Sequence, residues 1–259
     1  MDAAKRLQLF GCILGVAALP WVSGQATADE THADQLLQAM STYLAGLDSF
    51  SFDVDIEHEV VSPDGEKFGL RSSGEIDVHR PGNLSVRRSA GFTEVDFLFD
   101  GEILSIQDAA SGLRTQMQIA GDIDTMIDTL RDDLGRPLPA ADLLTGEAYG
   151  VLMEDVTEVK DLGSGVVNGV ECDHLAFRNP QVDWQIWIAQ GDTPHPCMLV
   201  ITTSDVDQAP QYRISVRDWE GGRAEIPATL AGDGFKDVGP EEFSAGAMPF
   251  PPNFSLEDN

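Results

Sequence analysis

The stretch SFSFDVDIEHEV at residues 49–60 alternates between apolar and polar positions with a period of two. Successive side chains of a strand point to opposite faces, so this segment has one apolar face and one acidic face. The acidic face needs only water, whereas the apolar face must be covered by another part of the chain. The first apolar positions are Phe50, Phe52, Val54 and Ile56.

Two sets of similar short runs predict an antiparallel sheet. The first set continues through residues 66–79, where Ile76 and Val78 share one face, and through residues 84–119, with Gly- or Asp-containing corners between the runs. The second set occupies residues 156–219. About eleven strand candidates result, which is enough for one large sheet built as two meanders.

Apolar residues at helical spacing replace this alternation in two places. Residues 33–47 place an apolar stripe along a helix, and residues 121–135 do the same after an acidic start. Residues 139–154 are typical of one or two further short helices, with Pro139 in a first turn. The stripes consist of Leu36, Met40, Leu44 and Leu47 in the first helix, and of Ile123, Met126, Ile127 and Leu130 in the second.

The first residues have the pattern of a secretory signal peptide. Lys5 and Arg6 precede an apolar run that ends in the small residues ATA at 26–28. This order of basic, apolar and small residues predicts a signal peptide at 1–28 that is cleaved after Ala28. The mature chain is therefore expected to be exported.

The rest of the chain is predicted as one domain followed by a tail. Residues 29–220 contain a helix, a meander, a helical insertion and a second meander, with no internal repeat and no strong linker. Residues 221–259 are rich in glycine, proline and acidic residues, and are predicted as a C-terminal tail that could add a last strand.

The charge of the chain limits its partners. It has 44 acidic and 16 basic residues and a net charge of −28. Such a surface repels nucleic acid and anionic lipid headgroups, so neither is expected as a partner. After the signal peptide no segment is apolar enough to span a bilayer, so no stable membrane insertion is expected.

The sequence has no recognised motif of catalysis, metal binding or cofactor binding. It lacks HExxH, GxSxG, SxxK and Walker patterns, and its five histidines form no cluster. His58 falls on the apolar face of its strand and is expected at the rim of the sheet. We therefore expect a protein that is not an enzyme and holds no metal or cofactor, although a serine, a histidine and an acid could still converge in the fold.

The two cysteines beyond the signal peptide, Cys172 and Cys197, lie in a compartment that permits disulfides. If the strands around them form a regular meander, both cysteines lie opposite the region of Ile188, on its two sides. They would then be about 9.5 Å apart, beyond the reach of a bridge. A bulge or a different turn would bring them closer, so the disulfide stays open at this point.

The alternating pattern leaves two arrangements open for the apolar face. Three or four short helices form a small lid for so large a sheet. They either seal it into an ordinary core or close it incompletely and leave an apolar cavity. Periodicity alone favours the sealed core, because well-formed ligand sites are few in any protein.

The order of segments also resembles a known group of carriers. A short helix, then SFSFDVDIE, GEIDVHRPGNLSVR and FLFDGEILSIQD resemble the start of proteins in the LolA/LolB-like lipoprotein-carrier superfamily. Within it, residues 129–144, 169–202 and 215–219 resemble a family of predicted periplasmic proteins of unknown function. The resemblance covers residues 33–220, and the long acidic end of the chain departs from the final strand of those relatives.

The resemblance implies an α+β fold with a curved antiparallel sheet, an unclosed half-barrel whose concave face is covered by short helices. It also implies an apolar cavity that holds acyl chains, with helix residues 123–130 as part of its lid. An arginine before proline, here Arg80, is implied to hydrogen-bond the lid and keep it shut. The expected cavity residues are Phe50, Phe52, Val54, Ile56, Ile76, Val78, Leu84, Val95 and Phe97.

Two functions follow as expectations. The first is a periplasmic binding or carrier protein whose partner is an acyl chain or a lipoprotein. The second is an envelope protein with a sealed core and no ligand, whose exposed strand edge or tail contacts another envelope protein.

Overall fold

The computed structural model describes residues 25–133 and 140–246. In this part of the chain twelve strands form one sheet, in the order β12-β6-β5-β4-β3-β2-β1-β11-β10-β9-β8-β7. The strands are β1 (Ser49–Val61), β2 (Lys67–His79), β3 (Asn83–Ser89), β4 (Glu94–Phe99), β5 (Ile103–Asp108), β6 (Leu113–Gln118), β7 (Glu158–Val167), β8 (Val170–Arg178), β9 (Val182–Ala189), β10 (Pro196–Thr203), β11 (Gln211–Gly221) and β12 (Lys236–Asp237).

The helices are short, apart from the first. They are α1 (Gln25–Ala45), α2 (Ile123–Asp128), α3 (Ala148–Leu152) and α4 (Pro240–Gly246), with a π-helical turn at Thr129–Asp133 and a 3-10 turn at Ala141–Leu144. None of the described helices is both long and apolar enough to cross a membrane. Residues 1–24 of the predicted signal peptide lie outside the described part of the chain, and residues 25–28 form the start of α1.

The sheet consists of two antiparallel meanders that meet at β1 and β11. β1 pairs with β2 on one side and with β11 on the other. The first meander ends at β6, near one edge, and the second begins at β7, on the opposite edge. The segment between β6 and β7 therefore has to cross the sheet. It contains α2, the π-helical turn, the 3-10 turn and α3. The expected α+β fold, an unclosed and largely antiparallel sheet with short helices, is confirmed.

The helices cover one face of the sheet, which we call the inner face, and build two apolar clusters there. α2 packs on the first meander, where Ile123, Met126 and Ile127 share a cluster with residues of β1 to β5. α1 packs on the second meander through Met40 and Leu44 of its apolar stripe and through the neighbouring Leu37. Asp122 directly precedes α2, and its side chain caps the helix by accepting a hydrogen bond from the Thr125 amide.

The disulfide between Cys172 and Cys197 is formed. The expectation of a regular meander around these cysteines is wrong. Cys172 pairs with Ala189 as a normal strand residue. The ladder between β9 and β10, however, shifts register between Pro196 and Met198, so Cys197 is the extra residue of a β-bulge. The bulge brings the two Cα atoms to 7.0 Å, the upper limit for a bridge.

After β11 the chain crosses the outer face of the first meander. The Glu225 amide donates to the carboxylate of Asp77 on β2 at 2.7 Å. Further on, Gln107 donates to the carbonyl oxygen of Ala231 at 2.8 Å. Gln107 is only 3% exposed. The chain therefore covers part of the outer face, whereas the alternation in β1 suggested that this face contacts only water.

The crossing segment ends at the edge of the sheet. β12 pairs with β6 in parallel, with Lys236 opposite Leu113, and α4 then places Phe243 in the apolar cluster of the inner face. The segment thus passes from one face of the sheet to the other around β6. Residues 247–259 lie outside the described part of the chain.

Candidate functional site: an apolar cavity between sheet and helices

A cavity of about 310 Å³ separates the inner face of the sheet from the helices. Its floor is formed by β1 to β5 and β11. Its roof is formed by Leu44 of α1, by α2 and the π-helical turn, and by the 3-10 turn at Ala141–Leu144. The lining is mainly aliphatic and aromatic, and the volume lies in the lower range of small-molecule sites, which begins at about 300 Å³.

Most of the residues expected from the sequence line this cavity. Those on the strands do so because they occupy alternate positions on the inner face. From the helical insertion, Met126 and Leu130 point into the same space. The lining strand residues from the expected set are Phe50, Phe52, Val54, Ile56, Ile76, Leu84 and Phe97.

Two of the expected cavity residues, Val78 and Val95, are not among the described residues that line it. Val78 is fully buried in the apolar cluster that also contains Ile123 at the start of α2, and the Ile123 amide donates to the carbonyl oxygen of Pro81 at 2.9 Å. Val95 is only packed against the edge of that core. Ile123 and Ile127 are buried in the same core and anchor α2 rather than line the cavity.

At one end of the cavity Arg80 contacts the helical insertion. Its Nη2 donates to the carbonyl oxygen of Thr145 at 3.4 Å, just after the 3-10 turn, and its guanidinium lies 5.7 Å from the ring centroid of Phe50. Burial lowers the pKa of Arg80, and the Asp124 carboxylate partly offsets this. Asp124 also accepts hydrogen bonds from the Gly146 amide at 3.1 Å. The contact expected for Arg80 is present, and its action as a latch stays a proposal.

Trp219 closes the same end from the other side, although the sequence pattern does not predict it. Regular alternation after Ile214 and Val216 places Asp218 inward and Trp219 outward. Instead, Asp218 and Trp219 together oppose the single residue Phe52, and Asp218 has a positive φ of 50°. This bulge turns Trp219 into the cavity, where its ring lies 5.4 Å from that of Phe52.

The opposite end of the lining is polar. His58, Arg88 and Tyr212 line the cavity there, and Arg88 donates through Nε to the hydroxyl of Ser72 at 2.9 Å. The rings of His58 and Tyr212 meet edge to face, with centroids 5.7 Å apart. Arg88 is also exposed to solvent, so this corner marks the mouth of the cavity. We call His58, Ser72, Arg88 and Tyr212 the polar corner.

Burial and the charge of Arg88 together set the protonation of the polar corner. Burial lowers the pKa of His58, and the positive charge of Arg88 lowers it further. Burial raises the pKa of Tyr212, and Arg88 opposes this. His58 and Tyr212 are therefore both neutral near neutral pH, and Arg88 carries the charge of the corner. Alternation in β1 placed His58 on the inner face at the rim. Arg88 and Tyr212 were not predicted. The signal for Arg88 was its position two residues after Val86 and four after Leu84, on the same face of β3.

Elsewhere in the described ranges, no group of three or more His, Cys, Asp or Glu side chains is arranged to hold a metal ion. The cavity with its two different ends is the feature from which a function is proposed below.

Residues 33–230 match the family described as "Predicted periplasmic protein (DUF2092)". The chain belongs to this family. The matched span contains every residue that lines the cavity and ends before β12 and α4. No curated protein matches the chain.

Solved structures similar to this DUF2092 protein have low sequence identity. LprF from Mycobacterium bovis is 16% identical, with 76% of this chain and 96% of that chain covered and a TM-score of 0.47. The lipoprotein LppX from Mycobacterium tuberculosis is 14% identical, with 76% and 100% covered and a TM-score of 0.47. A LolA superfamily protein from Nitrosomonas europaea is 10% identical, with 75% and 94% covered and a TM-score of 0.34. With TM-scores below 0.5, these similarities carry no functional conclusion.

Proposed function

We propose that this protein is a periplasmic binding or carrier protein, and that its cavity holds the acyl chain or another hydrophobic part of an amphiphilic ligand. The observation that carries the proposal is the cavity of about 310 Å³ between the inner face and the helices. A space lined by apolar side chains favours an apolar occupant over water, because water needs polar partners there.

The shape of the lining supports an elongated ligand. The lining follows β1 from Phe50 to His58, eight residues along one strand. At about 3.3 Å per residue this distance is roughly 26 Å, which suits an extended alkyl chain better than a compact molecule. One end is closed by aromatic rings and Arg80, and the other has the exposed polar corner, so a chain would enter with its apolar end first.

The roof of the cavity supports entry by a local movement. It consists of short helical segments, which form far fewer hydrogen bonds with the sheet than the strands form with one another. The Tyr149 amide donates to the hydroxyl of Ser41 at 2.9 Å, and the Thr145 carbonyl accepts from Arg80. Short segments with few tertiary bonds open at lower free energy than a sheet. We propose that residues 123–130 and 140–152 act as a lid, with Arg80 as its latch.

Export to the periplasm is part of the same proposal. The basic and apolar start of the sequence and the description of the DUF2092 family support it. Cleavage after Ala28 would leave most of α1, whose Leu44 lines the cavity, in the mature protein.

The alternative is an envelope protein with a sealed core and no ligand. It requires the helices to fill the inner face completely, and the cavity between them weighs against that. Native mass spectrometry of protein purified from the periplasm without detergent separates the two. We expect species that carry the mass of a retained lipid or fatty acid, or that gain it after incubation with one. A protein that never retains or takes up either would contradict the carrier.

A further inference from the structure

Arg88 differs from the other arginines of this acidic chain. Seven arginines in the described residues form ion pairs with carboxylates: Arg71, Arg87, Arg131, Arg178, Arg213, Arg217 and Arg223. Two others use carbonyl oxygens, Arg80 at Thr145 and Arg114 at Gly232. Within the same residues, Arg88 has the Ser72 hydroxyl as its hydrogen-bond acceptor and no carboxylate or carbonyl partner.

Strand alternation places this arginine on the apolar face. Arg88 lies opposite Gly74 on β2, and Gly74 lies opposite Val54 on β1, whose side chain lines the cavity. Residues directly opposite each other in neighbouring strands share a face, so Arg88 belongs to the inner row. Gly74 has no side chain to cover it there. One end of the guanidinium is held by Ser72, which leaves the other donors free to bind.

Two further polar groups surround the same position. Neither the Tyr212 hydroxyl nor the His58 ring has a hydrogen-bond partner in the described residues, and both side chains line the cavity with Arg88. Arg88 is close enough to both to influence their pKa values. Polar groups at the mouth of an apolar cavity are favourable only when water or a ligand satisfies them.

We infer that the cavity takes a single-chain amphiphile with an anionic headgroup, a carboxylate or a phosphate, and that Arg88 binds this headgroup at the mouth. The inference rests on the proposed function, because the alkyl chain of the same ligand would fill the apolar cavity. The guanidinium would donate to the anionic oxygens, and the hydroxyl of Tyr212, which lines the same cavity, would be a further donor. The net charge of the chain repels anions at long range, so this recognition would be local.

The test compares three ligands with the same alkyl chain. Dodecanoate, dodecyl phosphate and the uncharged dodecanol would each displace the uncharged fluorophore N-phenylnaphthylamine from the full mature protein near neutral pH. For wild type we expect at least one anionic ligand to bind about tenfold more tightly than dodecanol, as expected for a charge-assisted hydrogen bond. Which anion shows the preference distinguishes a carboxylate from a phosphate headgroup.

The variants assign the preference to one side chain. Arg88→Met should lower the affinity for the preferred anionic ligand about tenfold and change the affinity for dodecanol much less, whereas Arg88→Lys should keep part of the preference. Arg87→Met is the matched control, because it removes the same charge from the adjacent residue, which pairs with Asp96 on the outer face. It should leave the preference intact and so exclude a general effect of net charge.

Two results would overturn the inference alone. One is a wild type that binds dodecanol as tightly as both anionic ligands. The other is an Arg88→Met variant that keeps the preference or weakens all three ligands equally. If wild type binds none of the three and does not bind the fluorophore, the proposed function fails together with the inference.

Discussion

The guanidinium of Arg80 donates a hydrogen bond to the backbone carbonyl oxygen of Thr145, 3.4 Å away, and so joins the end of β2 to the helical segment above the cavity. Thr145 is the residue after the 3-10 turn at Ala141–Leu144, where helical carbonyls lack partners within the helix. A cation at such a helix end is favourable. This contact is the best candidate in the described residues for holding the proposed lid closed.

Replacing Arg80 by leucine should keep the fold and loosen the lid. The lost bond contributes about 1 kcal/mol, so the opening equilibrium should increase roughly fivefold. Hydrogen exchange at the amides of Gly146 and Tyr149 would measure this, and uptake of a fluorescent fatty acid should become faster. Arg71→Leu is the control, since Arg71 lies on β2, the strand that ends just before Arg80, but pairs with Glu57 on the outer face. Unchanged exchange and uptake in Arg80→Leu would mean that the latch does not exist.

A charge on the inner face of β1 should lower the free energy of unfolding far more than a loss of side-chain volume at the same position. Phe52 lines the cavity and stacks on Phe50 and Trp219, with ring centroids 6.2 and 5.4 Å apart. Phe52→Asp places a carboxylate among these rings, and we expect a loss of several kcal/mol in the free energy of unfolding, or loss of ligand binding. Phe52→Leu should cost only about 1 kcal/mol. Denaturant unfolding checks both, and equal small effects would contradict the assigned face.

The disulfide should contribute to stability because it closes a loop across β9. Cys172 and Cys197 are 25 residues apart, and a bridge over such a loop stabilises by about 3 kcal/mol. The variant with both cysteines changed to alanine should lose about that much in chemical unfolding. The intact mass of unreduced protein, before and after alkylation, checks the bridge itself. Two free thiols in protein exported to the periplasm would contradict it.

Two half-buried histidines should make the protein less stable in mild acid. Burial is the main cause that lowers the pKa of His58 and of His195, and Arg88 adds to it at His58 while the Thr193 carbonyl opposes it at His195. The unfolded chain, with a histidine pKa of about 6.5, therefore binds protons before the folded chain does. Stability should be full above about pH 6.5 and fall as the pH drops from there towards the folded pKa values.

The pH effect can be assigned by replacing both histidines with glutamine. The free energy of unfolding of wild type should fall as the pH drops below about 6.5, while that of the double variant should change less. The comparison should stay above the range where carboxylates titrate, because several aspartates with lowered pKa values, such as Asp55 and Asp122, add their own loss at lower pH. The same slope in both proteins would show that these histidines do not cause it.

The sequence predicted the features that depend on simple periodicity. Alternation placed Phe50, Phe52, Val54 and Ile56 on the inner face, and helical spacing placed Met126 in the roof. These positions follow from the period of a strand or a helix, which local sequence determines.

What the sequence did not predict depends on breaks in that periodicity. One extra residue at Asp218 turns Trp219 inward, and one at Cys197 brings the disulfide within reach. A bulge shifts every later side chain to the other face, and no strong local signal marks it. The crossing tail was missed for another reason: its bonds to Asp77 and Gln107 join residues far apart in the chain.

The central claim is that a hydrophobic ligand occupies the cavity, and filling that space tests it most directly. Val86 lines the cavity on β3, between Ile76 and Phe97 on the neighbouring strands. Val86→Phe adds a ring where the alkyl chain would lie, whereas Val86→Ile adds a single methylene. Displacement of N-phenylnaphthylamine by dodecanoate would give the affinity of each folded variant. The account predicts about tenfold or greater loss of affinity in Val86→Phe, near wild-type affinity in Val86→Ile, and no large loss of thermal stability in either. Wild-type affinity in a folded Val86→Phe protein would contradict it.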